Sequence, residues 1–227
     1  MLTKVFEDIF TSGNIKYLFI GLGYTILAAV VTVFVALVLG TILALARNYE
    51  KRVLGRIAAV YVEIFRNTPL LLWIFVCVFM LPKRIFGDAY IRGVIALTLY
   101  TSSVLAEIVR GGLNSIAAGQ FEAARSQGFN FVQTIVYIAL PQCFRRIIPS
   151  LMSQIVTTVK DTSFLAQVAI GEFFYRSKII LGQLPKHTSV TTAHVFTLYL
   201  FVALIYFAIN FTLSTLVRRY QSKQHHV

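Results

Sequence analysis

The chain of 227 residues carries 21 lysine and arginine residues against 9 acidic ones, yet only 13% of its residues are charged and 57% are hydrophobic. Soluble domains carry about 25% charged residues, so this composition excludes an ordinary soluble domain and indicates an integral membrane protein. The basic residues stand at the ends of apolar runs and do not cluster on one polar face, which gives no support for nucleic-acid binding.

The first residues predict a short amphipathic helix at the membrane interface, within residues 1–16. Its apolar face would carry Leu2, Val5, Phe6, Ile9 and Phe10, and its polar face Thr3, Lys4, Glu7 and Asp8.

Five apolar segments predict transmembrane helices, at about 17–46, 58–81, 93–112, 147–171 and 194–217. The runs from Tyr17 to Ala46 and from Thr188 to Val217 contain no charged residue, and each is long enough to cross a bilayer core about 30 Å thick. The first run is too long for the apolar part of a signal peptide, and further spans follow it. The expected fold is therefore all-α, a polytopic helical bundle in the membrane.

The distribution of basic residues predicts the orientation of this bundle. With five spans and the N-terminus outside, the inner segments hold more lysines and arginines than the outer ones, including Arg47, Arg52 and Arg56. The tail 218–227 is then cytoplasmic, and its His225 and His226 are expected in a solvated tail and not at a metal. The outer connection 172–187 is apolar enough for a short interfacial or re-entrant helix that stops at Pro185.

The second span contains two charges and a predicted break. Glu63 and Arg66 are three residues apart, so they can form an ion pair on one helical face. Pro69 lacks a backbone donor and disfavours helix at the residue before it, so the helix is expected to be interrupted near Thr68. Broken helices bind substrate in many transporters, and the alternative is a proline kink with a structural ion pair.

Three more charges lie in the later spans. Lys160 and Asp161 are adjacent, about 100° apart on a helix, so at least one is expected to find a partner elsewhere. Lining of a pathway and helix packing remain open for both. Glu107 stands one turn from Arg110, which favours a structural pair over substrate contact. Cys77 and Cys143 have no metal-ligand spacing and are expected to be structural thiols.

The segment 113–146 predicts a helix–glycine–helix elbow on the cytoplasmic side. Gly119 and Gln120 lead into a first helix, FEAARSQ, and Gly128 suits its end. Asn130 and Gln133 predict a capping box at the start of a second helix, FVQTIVYIAL, which Pro141 would end or kink.

An elbow of this length suggests a surface for another protein. A plain link between two spans needs only a few residues. Ala123 and Ala124 would allow close approach of a partner, and Glu122 would offer it a carboxylate.

The spacing EAA-x3-G-x9-I-x-LP resembles the signature of the membrane permeases of bacterial binding-protein-dependent ABC importers. It is carried by Glu122, Ala123, Ala124, Gly128, Ile138, Leu140 and Pro141. The blocks EIFRNTPLL, YTSSVLAEIVRGGL, GQFEAAR, LPQCFRRIIP and VKDTSF resemble the polar-amino-acid branch of that family. Gln127 and Ser153 depart from residues common in the branch.

The resemblance implies a transporter subunit that is not itself an enzyme. The elbow would be the coupling helix, docked on a separate ATP-binding subunit through Gly119, Gln120, Glu122, Ala123, Ala124 and Gly128. The implied partners are two ATP-binding subunits, a second permease subunit, identical or homologous, and an extracellular or periplasmic solute-binding protein. The chain 1–227 would be one permease domain with its core at 17–217, in the bacterial plasma membrane.

No cofactor is expected in this chain, because it has no G-x-x-x-x-G-K-[ST] loop and ATP and magnesium would bind the partner ATPase. The expected substrate is a polar or charged amino acid. Its ammonium would meet Asp161 or Glu107 and its carboxylate Arg66 or Lys160, with Thr68 also on the pathway. Two alternatives stay open: a self-sufficient secondary transporter that uses the intramembrane charges, and a membrane scaffold.

Overall fold

The computed structural model describes residues 2–50, 52–184 and 190–224, and every regular element in these ranges is helical. The α-helices are α1 (Leu2–Ile9), α2 (Ser12–Tyr49), α3 (Val53–Arg66), α4 (Leu70–Met80), α5 (Lys83–Phe86), α6 (Ala89–Asn114), α7 (Ala118–Ser126), α8 (Phe131–Gln133), α9 (Leu140–Asp161), α10 (Phe173–Gly182) and α11 (Thr192–Gln224). A π-helical segment, Thr134–Ala139, joins α8 to α9, and a 3₁₀ segment, Thr162–Val168, follows α9. The all-α prediction is confirmed.

Three of the described helices, α2, α6 and α11, are long and apolar enough to cross a membrane, and α3 with α4 makes a fourth if the pair is one span. The predicted interruption near Thr68 is confirmed, because α3 ends at Arg66 and α4 begins at Leu70. The Thr68 hydroxyl donates to the Ile64 carbonyl oxygen (2.6 Å), which occupies an acceptor at the end of α3.

The boundaries of the predicted span 147–171 are wrong. The α-helical part begins earlier, at Leu140, contains Pro149, and ends at Asp161, where the backbone tightens into the 3₁₀ segment. Arg145, Arg146 and Lys160 make α9 more polar than the three apolar helices. The count of five spans and the orientation of the termini stay predictions.

The chain divides into two compact units. The first unit comprises the described residues of Met1–Thr32, Leu71–Leu97 and Val156–Val227, and the second comprises those of Val33–Leu70 and Thr98–Ile155. The core of the first unit contains Val5, Ile9, Leu18, Phe173, Ile180, Leu198 and Val202. The core of the second contains Ala44, Val109, Leu113, Ile116, Ile135, Ala139, Cys143 and Ile147.

Helix α1 has the predicted amphipathic character, and part of its apolar face packs on the first unit itself. Val5 and Ile9 are buried against that unit's core, whereas Phe6 is exposed. The His194 ring nitrogen Nε2 lies 3.4 Å from the Asp8 carboxylate and ties α1 to the start of α11.

The helix expected between residue 172 and Pro185 is α10, which ends at Gly182. Pro185, His225 and His226 lie outside the described residues.

Two helices of the second unit approach closely at a glycine. A Cβ atom at Gly40 of α2 would lie 2.9 Å from the Ser102 carbonyl oxygen and 3.0 Å from the Ala106 nitrogen, both on α6. Small residues at such crossings let helix backbones approach closely. In a membrane this matters because the hydrophobic effect does not drive helices together, and their association depends on van der Waals packing.

Replacing Gly40 with alanine is therefore expected to lower stability by about 1–3 kcal/mol, the usual penalty of overpacking. Gly23 is the matched control on the same helix, because a Cβ atom there would have no other atom within 4 Å and alanine is the better helix former. Thermal unfolding in detergent should show a lower midpoint for Gly40→Ala only. Equal midpoints for the two variants would contradict the close crossing.

Candidate functional site

The first helix of the elbow, α7, ends at Ser126, and Gly128 closes this end as predicted. Its φ of +83° lies in the left-handed region that glycine enters without steric cost. The Phe129 N–H donates to the Ala124 carbonyl oxygen (3.0 Å) and the Gly128 N–H to that of Arg125 (2.9 Å), the bond pair of a Schellman motif. Gly128 therefore sets the direction in which the chain leaves α7.

The second half of the elbow starts with the predicted capping box. The Asn130 side-chain oxygen accepts from the Gln133 N–H (2.9 Å), and the Gln133 side-chain oxygen accepts from the Asn130 N–H (2.9 Å). These two bonds satisfy donors that the first turn of a helix leaves unpaired. Helical structure begins one residue later, at Phe131.

Pro141 does not end the second helix, so that alternative of the prediction is wrong, whereas a kink at Pro141 stays a prediction. Helical structure continues from Phe131 through the π-helical segment into α9, with Pro141 in the first turn of α9. The Leu140 N–H donates to the Ile135 carbonyl oxygen, one residue further back than in an α-helix. A wider turn immediately before a proline relieves the contact of its ring with the preceding turn, which explains why the helix survives.

The elbow is attached to the second unit by buried apolar residues and a few polar bonds. Ile135, Ala139 and Cys143 belong to that unit's core. The Gln142 side chain donates to the Gln120 side-chain oxygen (3.0 Å), which joins α9 to α7. Cys143 is fully buried, and burial raises the pKa of its thiol to about 11, as expected of a structural thiol.

Most of the predicted coupling residues lie on the exposed side of the elbow. Gly119, Gln120, Glu122, Ala123 and Gly128 are exposed. Ala124, in contrast, is buried, so its small side chain serves packing within the unit and not the approach of a partner.

A cleft of about 680 Å³ lies along this side of the elbow and contains Glu122. Its lining comprises Tyr49, Ala118, Phe121, Glu122, Arg125, Phe129, Phe131 and Thr134. A lining of aromatic rings with an arginine is typical of sites where another protein docks.

Glu107 is the centre of a charge cluster in the second unit. Its carboxylate forms ion pairs with Arg47, with Arg110 (2.8 Å) and with Arg66 (3.8 Å). The expected pairing of Glu107 with Arg110 is present. The expected pair of Glu63 with Arg66 is absent from the described residues, because Arg47 and Glu107 offer each of them a partner on another helix.

Glu107→Gln is expected to lower stability by roughly 1–3 kcal/mol, because three guanidinium groups would lose the carboxylate that holds them together. The side chain of Glu107 is 18% exposed and that of Glu63 is 59% exposed. Glu63→Gln is therefore the matched control, with an expected change below about 0.5 kcal/mol. Thermal unfolding checks both. An unchanged unfolding midpoint with impaired uptake would instead indicate that Glu107 contacts the substrate.

Lys160 and Asp161 end α9 in the first unit, and neither forms an ion pair within the described part of the chain. Lys160 is exposed at an apolar pocket of about 350 Å³, lined also by Ser163, Phe174, Tyr199, Val202, Ala203 and Tyr206. Asp161 is half-buried. No described ion pair supplies the expected partner elsewhere, and the Lys160 ammonium group is the charge that acts on the Asp161 carboxylate.

Sequence reasoning missed the roles of two charged residues, one partly buried and one fully buried. Arg47, a partner of Glu107, stands at the end of the first apolar run, a position that by itself indicates only an anchor. Glu172 is fully buried, caps α10 by accepting from the Phe174 and Tyr175 N–H groups, and accepts from the Thr25 and Tyr206 hydroxyls. Burial raises the pKa of its carboxyl group. A glutamate directly before a helical pattern was the available signal.

The chain is similar to known transport proteins over most of its length. The model of a family described as "Binding-protein-dependent transport system inner membrane component" matches residues 36–226. The Bacillus subtilis probable glutamine ABC transporter permease protein GlnP is 36% identical over 220 residues, which cover 96% of this chain and 99% of that protein.

A second relative and a solved structure agree with this match. The Corynebacterium glutamicum glutamate transport system permease protein GluD is 38% identical over 207 residues, covering 89% of this chain and 73% of that protein. A structure described as "Crystal structure of an amino acid ABC transporter with histidines" matches with a TM-score of 0.76 and 25% identity, covering 92% of this chain and 94% of that chain.

Proposed function

Because the chain belongs to the family of binding-protein-dependent transport system inner membrane components, we propose that it is the transmembrane permease subunit of an ABC importer for a polar or charged amino acid. The named substrates of two relatives, glutamine and glutamate, support this class of substrate. Family membership does not favour a self-sufficient secondary transporter.

The structure of the elbow is the observation that supports coupling of this subunit to an ATP-binding subunit. Glu122, Ala123 and Gly128 are exposed, and Glu122 lines a cleft with aromatic side chains. A Schellman motif and a capping box fix the backbone on either side of Gly128. A rigid exposed elbow can transmit a movement from a partner into α9, since helical structure is continuous from Phe131 to Asp161. The partner would be an ATP-binding subunit, in which ATP and magnesium are bound.

The complete importer would contain two ATP-binding subunits, two permease subunits and a solute-binding protein. The second permease subunit is a copy of this chain or a homologue. The apolar surface of α2 offers room for lipid and for a neighbouring subunit, because large side chains such as Val30 and Phe34 are exposed.

The pathway residues are proposed from their charges and from the helix break near Thr68. Lys160 would contact the carboxylate of the substrate and Asp161 its ammonium group. Arg66, which is exposed beside the helix break, and Thr68 would line the pathway within the second unit. Glu107, engaged by three arginines, would hold that part of the pathway together.

ATP-dependent uptake tests the function directly. Proteoliposomes would contain this chain with its ATP-binding subunits, and radiolabelled glutamine, glutamate, arginine, histidine and cystine would be offered with the solute-binding protein. We expect uptake of at least one of them that requires ATP. Uptake by this chain alone, driven by an ion gradient, would instead establish a secondary transporter.

A further inference from the structure

The first unit contains a polar pocket that the proposed coupling and pathway residues do not use. It encloses about 330 Å³, within the range of small-molecule sites, and is lined by Tyr24, Asp88, Ala89, Tyr90, Ala169, Ile170, Gly171 and Arg176. These residues come from the first part of α2, the start of α6, the link between the 3₁₀ segment and α10, and α10 itself, which carries Arg176. The predicted orientation places all four on the outer side of the membrane.

Arg176 supplies a cation to this pocket in a fixed orientation. Its Nε donates to the Gly171 carbonyl oxygen (2.7 Å) and its Nη1 to that of Tyr17 (3.2 Å). Its guanidinium carbon lies 4.3 Å from the centre of the Tyr17 ring and 5.6 Å from that of Tyr24. Carbonyls and rings orient the group without neutralising it, and no acidic residue in the described ranges forms an ion pair with it. Its Nη2 donors remain for an anion.

Asp88 supplies the opposite charge. One of its carboxylate oxygens accepts from the Ile91 N–H (3.0 Å) at the first turn of α6. Among the described residues, Asp88 forms no ion pair, with Arg176 or with any other cation. The pocket thus presents a carboxylate and a guanidinium that are not paired with each other.

The walls of the pocket are held rigidly. The Tyr24 and Tyr90 rings meet edge to face with centroids 5.3 Å apart, and the Tyr90 hydroxyl donates to the Tyr24 carbonyl oxygen (2.8 Å). Ala169 has a φ of +58°, a left-handed conformation that is costly for a residue with a side chain. Such strain is concentrated at ligand sites, where it fixes the backbone in place.

We propose that this pocket binds the zwitterionic backbone of a free amino acid, its carboxylate on Arg176 and its ammonium group on Asp88 and the tyrosine faces. A simple anion would be repelled by Asp88 and a simple cation by Arg176, whereas a zwitterion complements both. Because only the groups common to all α-amino acids are recognised, the site would accept amino acids whatever their side chain. The inference rests on the proposed function and gives the permease an outer binding site separate from Lys160 and Asp161.

Direct binding to the full chain in nanodiscs tests the pocket without any partner subunit. The probe is radiolabelled L-glutamine, with L-alanine, N-acetyl-L-glutamine and L-glutamine amide as competitors. We expect L-alanine to compete, and the two derivatives, each lacking one charge, to compete at least about tenfold more weakly, a difference of about 1.4 kcal/mol.

Two variants localise the site. Asp88→Asn removes the charge but keeps an oxygen that caps α6 equally well. Gly171→Leu fills the pocket, since a Cβ there meets Arg176 only at 3.8 Å or more. Both should bind L-glutamine at least about tenfold more weakly than wild type, with unchanged unfolding midpoints, while Glu7→Gln on exposed α1 binds normally.

Wild-type affinity in both variants, or equal competition by N-acetyl-L-glutamine and L-alanine, would overturn the proposal. Absence of any L-glutamine binding to the wild-type chain would overturn it as well. These results would leave the importer proposal intact, because uptake by the complete assembly is measured separately and fails only if the proposed function is wrong.

Discussion

Replacing Glu122 with arginine is expected to abolish uptake while the protein still inserts into the membrane in normal amounts. Glu122 is exposed on α7 and lines the cleft of the elbow, so reversal of its charge leaves the buried core of the second unit unchanged. At an interface, truncating or reversing one partner of a charge contact costs roughly 2–5 kcal/mol, which is more than about tenfold in affinity. The loss would appear as weak association with the ATP-binding subunit.

Glu7→Arg is the matched control for this prediction. It makes the same change of charge on the exposed face of α1, which belongs to the first unit, whereas the elbow belongs to the second. Uptake by the Glu7→Arg protein should stay near the wild-type rate. If Glu122→Arg also transported normally, the elbow would not be the coupling surface.

Replacing Gly128 with valine is expected to impair both stability and uptake. A β-branched residue at φ +83° is strained by about 1–3 kcal/mol, and relief of that strain would break the two bonds that close α7. The direction of the chain after α7 would change, and with it the position of the exposed face that carries Glu122. The unfolding midpoint and ATP-dependent uptake should both fall.

The variant Gly128→Asn distinguishes the effect of backbone strain at this position from the effect of adding a side chain. Asparagine enters the left-handed region more readily than other residues with side chains, so this variant should keep most of the stability. Apart from Gly128 and its two chain neighbours, no described heavy atom lies within 4 Å of a Cβ at this position, so there is also room for the side chain. Equal midpoints for the valine and asparagine variants would show that the φ angle is not what Gly128 contributes.

The elbow could be predicted from the sequence because its structure is set by neighbours in the chain. Gly128 ends α7 and Asn130 with Gln133 starts the next helix through bonds that span only a few residues. The same local reasoning did not show that the helix continues through Pro141, because the continuation depends on the π-helical segment and on the packing of Ile135 and Ala139 in the core.

The charged sites could not be predicted as pairs, because their partners lie far apart in the chain. Sequence spacing suggested Glu63 with Arg66, but tertiary structure brings Arg47 and Arg66 to Glu107. Glu172 likewise depends on the Thr25 hydroxyl, which only the folded first unit brings within reach. The partners that Glu63, Arg66 and Glu107 find on other helices could therefore be assigned only from the structure.

The most direct test of the central claim is co-purification of this chain with an ATP-binding subunit from the same genome. The two proteins would be co-expressed, with a tag on the ATP-binding subunit only, and the complex isolated in detergent. We expect a stable complex with the wild-type chain and with Glu7→Arg, and loss of the complex with Glu122→Arg. Failure of the wild-type chain to associate with any ATP-binding subunit, or retention of the Glu122→Arg chain at wild-type yield, would contradict coupling through the elbow.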